Sequence, residues 1–167
     1  RQLRQTFDLA NLASAERGPA NSLLGADPAD AAEQARLAAQ LAAARQRVDT
    51  ALLQLETVFK DDPGVYDEHR LLASAQRRLK SARAAVDHVA AQPHDARRVE
   101  EVERAISGMF AVVDRLHLLT SAQINALVSA DREAAIPAMQ GQLLFDLREH
   151  GGRLASNVMA PVAVPGA

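Results

Sequence analysis

The stretch VEEVERAISGMFAVVDRLHLLTSAQINAL, residues 99–127, decides the fold. The positions of one stripe recur at alternating spacings of three and four residues, at Val99, Val102, Ile106, Met109, Val113, Leu116, Thr120, Gln123 and Leu127. This alternation places the stripe on one face of an α-helix and is typical of the seam between nearly antiparallel helices. The stretch therefore predicts a long helix, the fourth of the chain, in an all-α bundle.

The segment before it repeats the pattern and predicts the third helix. Its stripe contains Leu72, Ala75, Leu79, Ala82, Val86 and Val89. This helix is predicted over residues 66–91, between a turn at Asp61-Asp62-Pro63-Gly64 and a break at Gln92-Pro93. Asp95 follows the break and is predicted to cap the fourth helix, because aspartate is a favoured N-cap residue.

The other three helices follow from apolar spacing and from helix-breaking residues. The first is predicted over residues 2–24 and the second over residues 28–60, with Asp27 as N-cap and Pro28 at the first helical position. Asp131 and Pro137 predict a break or kink, and a fifth segment is predicted over residues 132–159. Its apolar stripe contains Ile136, Met139, Leu143, Leu147, Leu154 and Val158. The pattern leaves open whether the fourth and fifth helices form one bent helix.

The lengths of these helices and of their turns predict the architecture. A helix of about 30 residues is about 45 Å long, and short turns make consecutive helices antiparallel neighbours. We therefore expect an elongated antiparallel up-down bundle of four to five long helices. Residues 1–160 are expected to form this domain, either whole or as the first part of a longer sensor region, and residues 161–167 a flexible tail or linker.

Composition excludes several classes of function. The chain has 167 residues, of which 48% are hydrophobic but only 3% aromatic, and this Ala-rich composition favours helices over sheets. A net charge of −2 gives no broad attraction to nucleic acid, and there is no Cys. Asp114 and His117 form the one pair that approaches the metal-binding spacing of di-iron bundles, and no nucleophile motif is present. We expect no enzyme, no metal site, no cofactor and no nucleic-acid partner.

One short segment breaks the regularity of the first helix. The sequence Ala15-Glu16-Arg17-Gly18-Pro19-Ala20-Asn21 places a charged pair and a Gly-Pro step between apolar residues that continue on both sides. In a helix interior Gly costs about 1 kcal/mol and Pro about 3 kcal/mol relative to Ala. A local cost inside a regular element is typical of a functional position.

Arg17 and Arg148 are the candidate binding residues, together with Asn21. Arg17 shares a helical face with Asn21, four residues away, and with the small residues Ala10 and Ala13. In the last helix, Arg148 likewise shares a face with small residues, which are Gly141, Gly151, Gly152 and Ala155, and with Leu144. Two guanidinium groups on the first and last helices would form an anion clamp, because each can donate to two oxygens.

Glu16 and Glu149 are the candidate supporting residues, and they also define an alternative. In the binding interpretation Glu16 would hold Arg17 in place. In the alternative, Arg17 pairs with Glu149 and Arg148 pairs with Glu16, so that both arginines serve only as interhelical salt bridges. The first case predicts a ligand site, whereas the second predicts a structural bundle that mediates dimerisation or other protein–protein interactions without a small ligand.

These two segments resemble a family of bacterial sensor domains. Residues 12–21, LASAERGPAN, are similar to the opening of helical extracytoplasmic sensor domains of chemoreceptors, histidine kinases and diguanylate cyclases. The segment LREHGGRL, residues 147–154, is similar to an element of the nitrate- and nitrite-sensing type. In that type, arginines of the first helix and of a later helix hold a small oxyanion, and this implicates Arg17 and Arg148. Pro19 departs from the family's pattern, and a second arginine beside Arg17 is absent.

The resemblance implies a ligand-sensing domain of a bacterial transmembrane receptor. The domain would lie at the periplasmic face of the inner membrane, and its contact with the membrane would be through flanking transmembrane helices outside this chain. Its ligand would be a small anion, either an oxyanion such as nitrate or nitrite or a carboxylate. Binding would shift helices toward the membrane, and a homodimer is expected from this mode of signalling.

Overall fold

Five long α-helices and one short turn account for most of the chain. The computed structural model describes residues 1–26, 29–60 and 66–162. The elements are α1 (Gln2–Gly25), α2 (Ala31–Lys60), α3 (Tyr66–Ala90), a 3₁₀ turn (His94–Ala96), α4 (Val99–Ala130) and α5 (Arg132–Val162). No strand occurs within these ranges. The predicted all-α class and the helical bundle are confirmed.

The start of α2 differs from the prediction. The helix begins at Ala31 rather than at residue 28, and the carboxylate of Asp30 accepts a hydrogen bond from the backbone N–H of Glu33 at 3.0 Å. This contact is an N-cap, because it satisfies a first-turn donor that has no intrahelical partner. Asp27, Pro28 and the predicted turn at residues 61–64 lie outside the described residues.

The prediction that Asp95 caps α4 is wrong. Asp95 lies in the 3₁₀ turn, and α4 begins at Val99 with Arg98 as its N-cap residue. The side chain of Arg98 makes no capping hydrogen bond. Three residues lie between Asp95 and Val99, the first residue of α4, so the Asp95 carboxylate belongs to a separate turn.

A break at Asp131 separates α4 from α5. Asp131 is extended, with φ −152° and ψ 98°, and its carboxylate accepts the backbone N–H of Ala134 at 3.0 Å. Pro137 lies inside α5, so the break falls at Asp131 and Pro137 does not end the helix. Helix α5 continues to Val162, which takes in two residues assigned to the predicted tail, and residues 163–167 lie outside the described part of the chain.

The first four helices form an up-down bundle, and α5 packs on its outside against α4 and α1. Helices α2 and α3 are antiparallel, since Arg45 pairs with Asp87 and Glu56, later in α2, contacts Gln76, earlier in α3. Helix α5 runs in the same direction as α1, since Ser14 contacts Glu149 and Asn21 contacts Ser156. The buried apolar core is drawn mainly from α1–α4 and includes Leu9, Leu24, Val48, Leu55, Phe59, Val86, Val102, Val113, Leu116 and Leu119.

Helix α1 runs without interruption through the Gly-Pro step. Pro19 has no N–H to donate to the backbone carbonyl of Ala15. Ala15 is an exposed residue. A Cβ on the residue before a proline disfavours the helical conformation, and Gly18 has none. The pair of residues therefore keeps the helix intact while releasing one carbonyl on the side of α1 that faces away from the core.

Candidate functional site

Glu16 and Arg17 are both buried. Because successive side chains of a helix point about 100° apart, the two residues contact different helices. Glu16, with 0% exposure, receives two hydrogen bonds from Arg83 on α3, at 2.8 and 2.7 Å, and lies 3.7 Å from Arg45 on α2. Arg83 also binds Asp49 and Arg45 binds Asp87, each at 2.7 Å. The expected role of Glu16 in holding Arg17 is therefore wrong, because Glu16 joins α1 to α2 and α3.

Arg17 points toward α5 and joins α1 to that helix. Its guanidinium donates to Glu149 at 2.7 Å through Nη1 and at 3.4 Å through Nη2. Glu149 also accepts from Ser14 at 2.5 Å and from Arg153 at 2.9 Å, and Arg153 binds Asp114 on α4. We call these five residues the Arg17 cluster. The cluster holds two positive and two negative charges, so it is electrically balanced.

An aromatic ring completes the Arg17 cluster. The guanidinium carbons of Arg17 and Arg153 lie 4.9 and 5.0 Å from the centre of the Phe110 ring. Cations at this distance are attracted by the negative face of the ring. Arg17 and Glu149 are 5% and 4% exposed, so α4, through Phe110, seals the pair from water on one side.

The charge of Glu149 is stabilised by its partners. Burial by itself raises the pKa of this carboxyl group, but the hydrogen bonds from Arg17 and Ser14, the charge of Arg17 and the bond from Arg153 together outweigh burial and hold the pKa below its ordinary value. Glu149 is therefore ionised at neutral pH. In this state it acts as an internal anion for Arg17.

A groove between α1 and α5 lies beside the Arg17 cluster. It has a volume of about 420 Å³ and is open to solvent. Its lining residues are Ser14, Ala15, Arg17, Gly18, Asn21, Ser22, Arg148, Gly152, Ala155 and Ser156. We call this the α1–α5 groove. It brings together the three predicted binding residues, which are Arg17, Asn21 and Arg148, and none of the residues that line it is acidic.

The two arginines of the groove differ in whether a carboxylate pairs with them. Arg17 is bonded to Glu149, as the structural alternative predicted, whereas the predicted pairing of Arg148 with Glu16 does not occur. Arg148 is exposed and stacks over the ring of Phe145 at 5.6 Å, and no carboxylate in the described residues lies within ion-pair distance of it. The groove therefore offers one cation without an acidic partner beside one that is already paired.

Asn21 contributes a neutral polar group to the groove. Its Nδ2 donates to the hydroxyl of Ser156 at 3.0 Å, and that hydroxyl donates to the carbonyl of Gly152 at 2.9 Å. The Oδ1 atom of Asn21 is buried without a hydrogen-bond partner in the described residues. Ser156 was not expected from the sequence, although its spacing of four residues from Gly152 places both on one face of α5.

Gly152 makes room for Arg17. A Cβ atom built on Gly152 would lie far inside van der Waals contact with Nη2 of Arg17. Gly141, on the same helix, has open space where its Cβ would be. The close approach of a buried guanidinium therefore explains Gly152, whereas no neighbour among the described residues limits the space at Gly141.

Gly152→Ala is expected to destabilise the protein by about 0.5–2 kcal/mol, because displacing Arg17 from Glu149 outweighs the gain of about 1 kcal/mol in helix propensity. Gly141→Ala is the matched control and is expected to stabilise it by about 0.5–1 kcal/mol. Urea denaturation of the two variants measures both signs. Stabilisation by both substitutions would show that Arg17 moves aside at no cost.

Acid should remove the contribution of Glu149 to stability. Because its pKa is lowered in the folded state, the unfolded chain takes up the proton first, at about pH 4.3, and the stabilisation declines as the pH falls below that value. Between about pH 5 and pH 3 the melting temperature of the wild type should fall more steeply than that of Glu149→Gln. Glu100→Gln removes an exposed carboxylate instead, and its curve should follow the wild type. Parallel curves for Glu149→Gln and wild type would contradict the assignment.

The chain is an up-down helical bundle with a polar groove, lined by two arginines, between α1 and α5. Comparison with protein-family models, with curated proteins and with solved structures gives no match. Among the described residues no group of side chains could hold a metal ion, and no helix combines the length and apolar character needed to cross a bilayer.

Proposed function

We propose that the chain is an extracytoplasmic ligand-sensing domain of a bacterial transmembrane receptor and that it binds a small anion in the α1–α5 groove. The composition of the groove carries the proposal. It is lined by Arg17, Arg148, Asn21 and three serines, and by no acidic side chain. Guanidinium, hydroxyl and amide groups are the donors that oxyanions and carboxylates require.

Arg148 would provide the main attraction for the anion, because its guanidinium has no carboxylate partner among the described residues. Arg17 would donate through N–H groups that its two hydrogen bonds to Glu149 leave available, since a guanidinium carries five. The 3.4 Å bond from Nη2 is the weaker of the two and is the one that a ligand would replace. Glu149 would then keep Arg17 in position and also compete with the ligand.

The site would couple ligand binding to helix position. Helices α1 and α5 run in the same direction and contact each other through polar side chains around the groove. A ligand held by both helices favours the arrangement in which they are closest, and this difference in affinity shifts the population toward it. The resemblance of residues 12–21 and 147–154 to periplasmic sensor domains supports a receptor that spans the membrane outside this chain.

The second candidate function is an interaction bundle without a small ligand. It is favoured by the pairing of Arg17 with Glu149, which already satisfies the buried guanidinium. In this case Arg148 would be a solvated surface residue. The two functions differ in whether Arg148 is needed for an effect of anions on stability.

A thermal-shift experiment at constant ionic strength tests the proposal. The purified chain is melted with nitrate, nitrite, sulfate, phosphate and common carboxylates, each exchanged against chloride so that general screening is unchanged. An anion at 100 times its dissociation constant should stabilise the fold by about 2.7 kcal/mol, which corresponds to about 5–10 °C. Arg148→Gln should lose most of this shift while keeping the wild-type melting temperature without the anion.

Arg104→Gln is the matched control, because Arg104 is an exposed arginine that does not line the groove. It should keep the full shift. Equal shifts for Arg148→Gln and Arg104→Gln would place the anion elsewhere, and no shift with any of these anions would favour the interaction bundle.

A further inference from the structure

The apolar stripe of α5 faces away from the bundle. Helix α5 packs on α1 and α4 through Phe145, Glu149, Gly152 and Ser156, which lie on its opposite side. Seven large apolar side chains of α5 are at least half exposed, and Leu147 reaches 74%. They are Ile136, Met139, Leu143, Leu144, Leu147, Leu154 and Val158. We call this set the α5 stripe.

Five of the seven residues of the α5 stripe lie in a nearly straight row along the helix. At 3.6 residues per turn, Ile136, Leu143, Leu154 and Val158 all lie within about 40° of the direction of Leu147, and the stripe extends for about 33 Å. Isolated exposed leucines are common on protein surfaces, but a contiguous apolar surface of this length marks an interaction site.

We propose that a second copy of this chain covers the α5 stripe, with the two α5 helices packed side by side in parallel. Burying one exposed Leu-sized side chain contributes about 1.5–3 kcal/mol. At about 25 cal/mol per Å², this free energy corresponds to about 60–120 Å² of apolar surface. Seven such side chains on each of two copies give about 800–1,700 Å² in total, which overlaps the range of about 1,200–2,000 Å² that specific interfaces bury.

A glycine on the stripe supports close approach by another helix. Gly151 is exposed, lies between Leu147 and Leu154 on the same face, and has open space where a Cβ would be. An interior helical glycine costs about 1 kcal/mol relative to alanine, and no contact within the described chain requires one here. The backbone of a second α5 could pack against this position.

The charges beside the stripe favour a parallel pair. Asp146 and Arg148 lie on opposite flanks, each about 100° from Leu147, and the Asp146 carboxylate also lies 3.1 Å from His117 on α4. In a parallel pair the opposite flanks of the two helices meet, so Arg148 of one copy faces Asp146 of the other, whereas in an antiparallel pair like charges meet. The mixed charge of the flanks also disfavours a membrane surface, because helices that lie on membranes carry mainly Lys and Arg.

Sedimentation equilibrium of the intact chain tests the proposal. The wild type should be a dimer, and Leu147→Lys should raise the dimer dissociation constant at least about 10-fold. Leu53→Lys is the matched control, since Leu53 is 63% exposed on α2, and it should leave the constant unchanged. A monomeric wild type at about 100 µM, or an equal effect of both variants, would overturn the proposal.

Cross-linking tests the alignment, because the chain has no cysteine of its own. Leu143→Cys and Leu154→Cys should each form an intermolecular disulfide in a parallel pair, whereas Leu53→Cys should not. An antiparallel pair centred on Leu147 would separate the two Leu154 positions by about 21 Å and prevent their disulfide. Binding of the wild type to anionic vesicles, with loss of binding in Leu147→Lys, would assign the stripe to lipid instead. Arg148 is shared with the anion site only as a charge beside the stripe; the apolar side chains themselves lie on the other face of α5, so dimerisation does not require an anion.

Discussion

Replacing Arg17 by methionine is expected to lower the free energy of unfolding by about 3–5 kcal/mol. The substitution leaves Glu149 buried with a negative charge, and among the described residues only Arg153 and Ser14 then hydrogen-bond to it. Glu149→Leu should have a cost of the same order, because it leaves the Arg17 guanidinium buried without its carboxylate. Both effects can be measured by urea denaturation.

The double variant is the more informative measurement. Arg17→Met combined with Glu149→Leu replaces the buried pair by apolar side chains, and such replacements are often close to neutral. Its cost should therefore fall well below the sum of the two single costs, with a coupling energy of about 2–3 kcal/mol. Arg4→Met, at an exposed ion pair with Asp8, serves as the control and should change stability by less than about 0.5 kcal/mol. Additive single effects would mean that Arg17 and Glu149 do not act as a pair.

Arg97→Ala is expected to destabilise the protein by about 2–4 kcal/mol. Arg97 is 3% exposed and donates to four backbone carbonyl groups near the ends of α1 and α3. The acceptors are Leu24 at 2.6 Å, Ala26 and Ala90 at 3.2 Å, and Gln92 at 3.3 Å. A cation at the C-terminus of a helix also interacts favourably with the helix dipole. Burial lowers the pKa of Arg97, and no carboxylate among the described residues pairs with it.

The neighbouring residue provides the control for Arg97. Arg98 is exposed, and its side chain lies 3.8 Å from Glu100, an arrangement that contributes little to stability. Arg98→Ala should therefore change the unfolding free energy by less than about 0.5 kcal/mol. Similar losses for Arg97→Ala and Arg98→Ala in thermal unfolding would show that the carbonyl contacts are not stabilising.

The helices could be predicted from sequence because their apolar spacing is regular. The alternating stripes of α3 and α4 are buried as expected, from Leu72 to Val89 and from Val102 to Gln123. Helix starts were predicted less well. Asp27 and Asp95 are both good capping residues by type, but α2 is capped by Asp30 and α4 begins after Arg98. The start of a helix depends on the path of the connecting turn, which apolar spacing does not specify.

The orientation of α5 could not be predicted from its apolar stripe. A stripe normally indicates the buried face, but on α5 the buried face is the polar one because it must accommodate Arg17, Asp114 and the small residues of the groove. Only the positions on the facing helices reveal this requirement. A second copy of the chain on the stripe would restore the ordinary relation between apolar pattern and burial.

The candidate site was predicted in part. Arg17, Asn21 and Arg148 line one groove, and Glu149 supports Arg17, but Glu16 belongs to a separate contact with Arg83. A signal for that contact exists in the sequence. Arg45 lies four residues after Leu41 and three before Val48. Arg83 lies likewise between Leu79 and Val86. All four of these apolar residues are buried, so both arginines are charged residues beside the buried face of their helices.

Nuclear magnetic resonance of the arginine side chains during anion titration tests the binding of an anion in the α1–α5 groove most directly. The chain is labelled with ¹⁵N, the Nε–Hε signals are assigned by single substitutions, and nitrate, phosphate or acetate replaces chloride at constant ionic strength. Binding in the α1–α5 groove predicts that one of these anions shifts the signals of Arg17 and Arg148 with a single saturating curve, while those of Arg83 and Arg97 stay fixed. Signals that move together without saturation, or a saturating shift that spares Arg148, would contradict it.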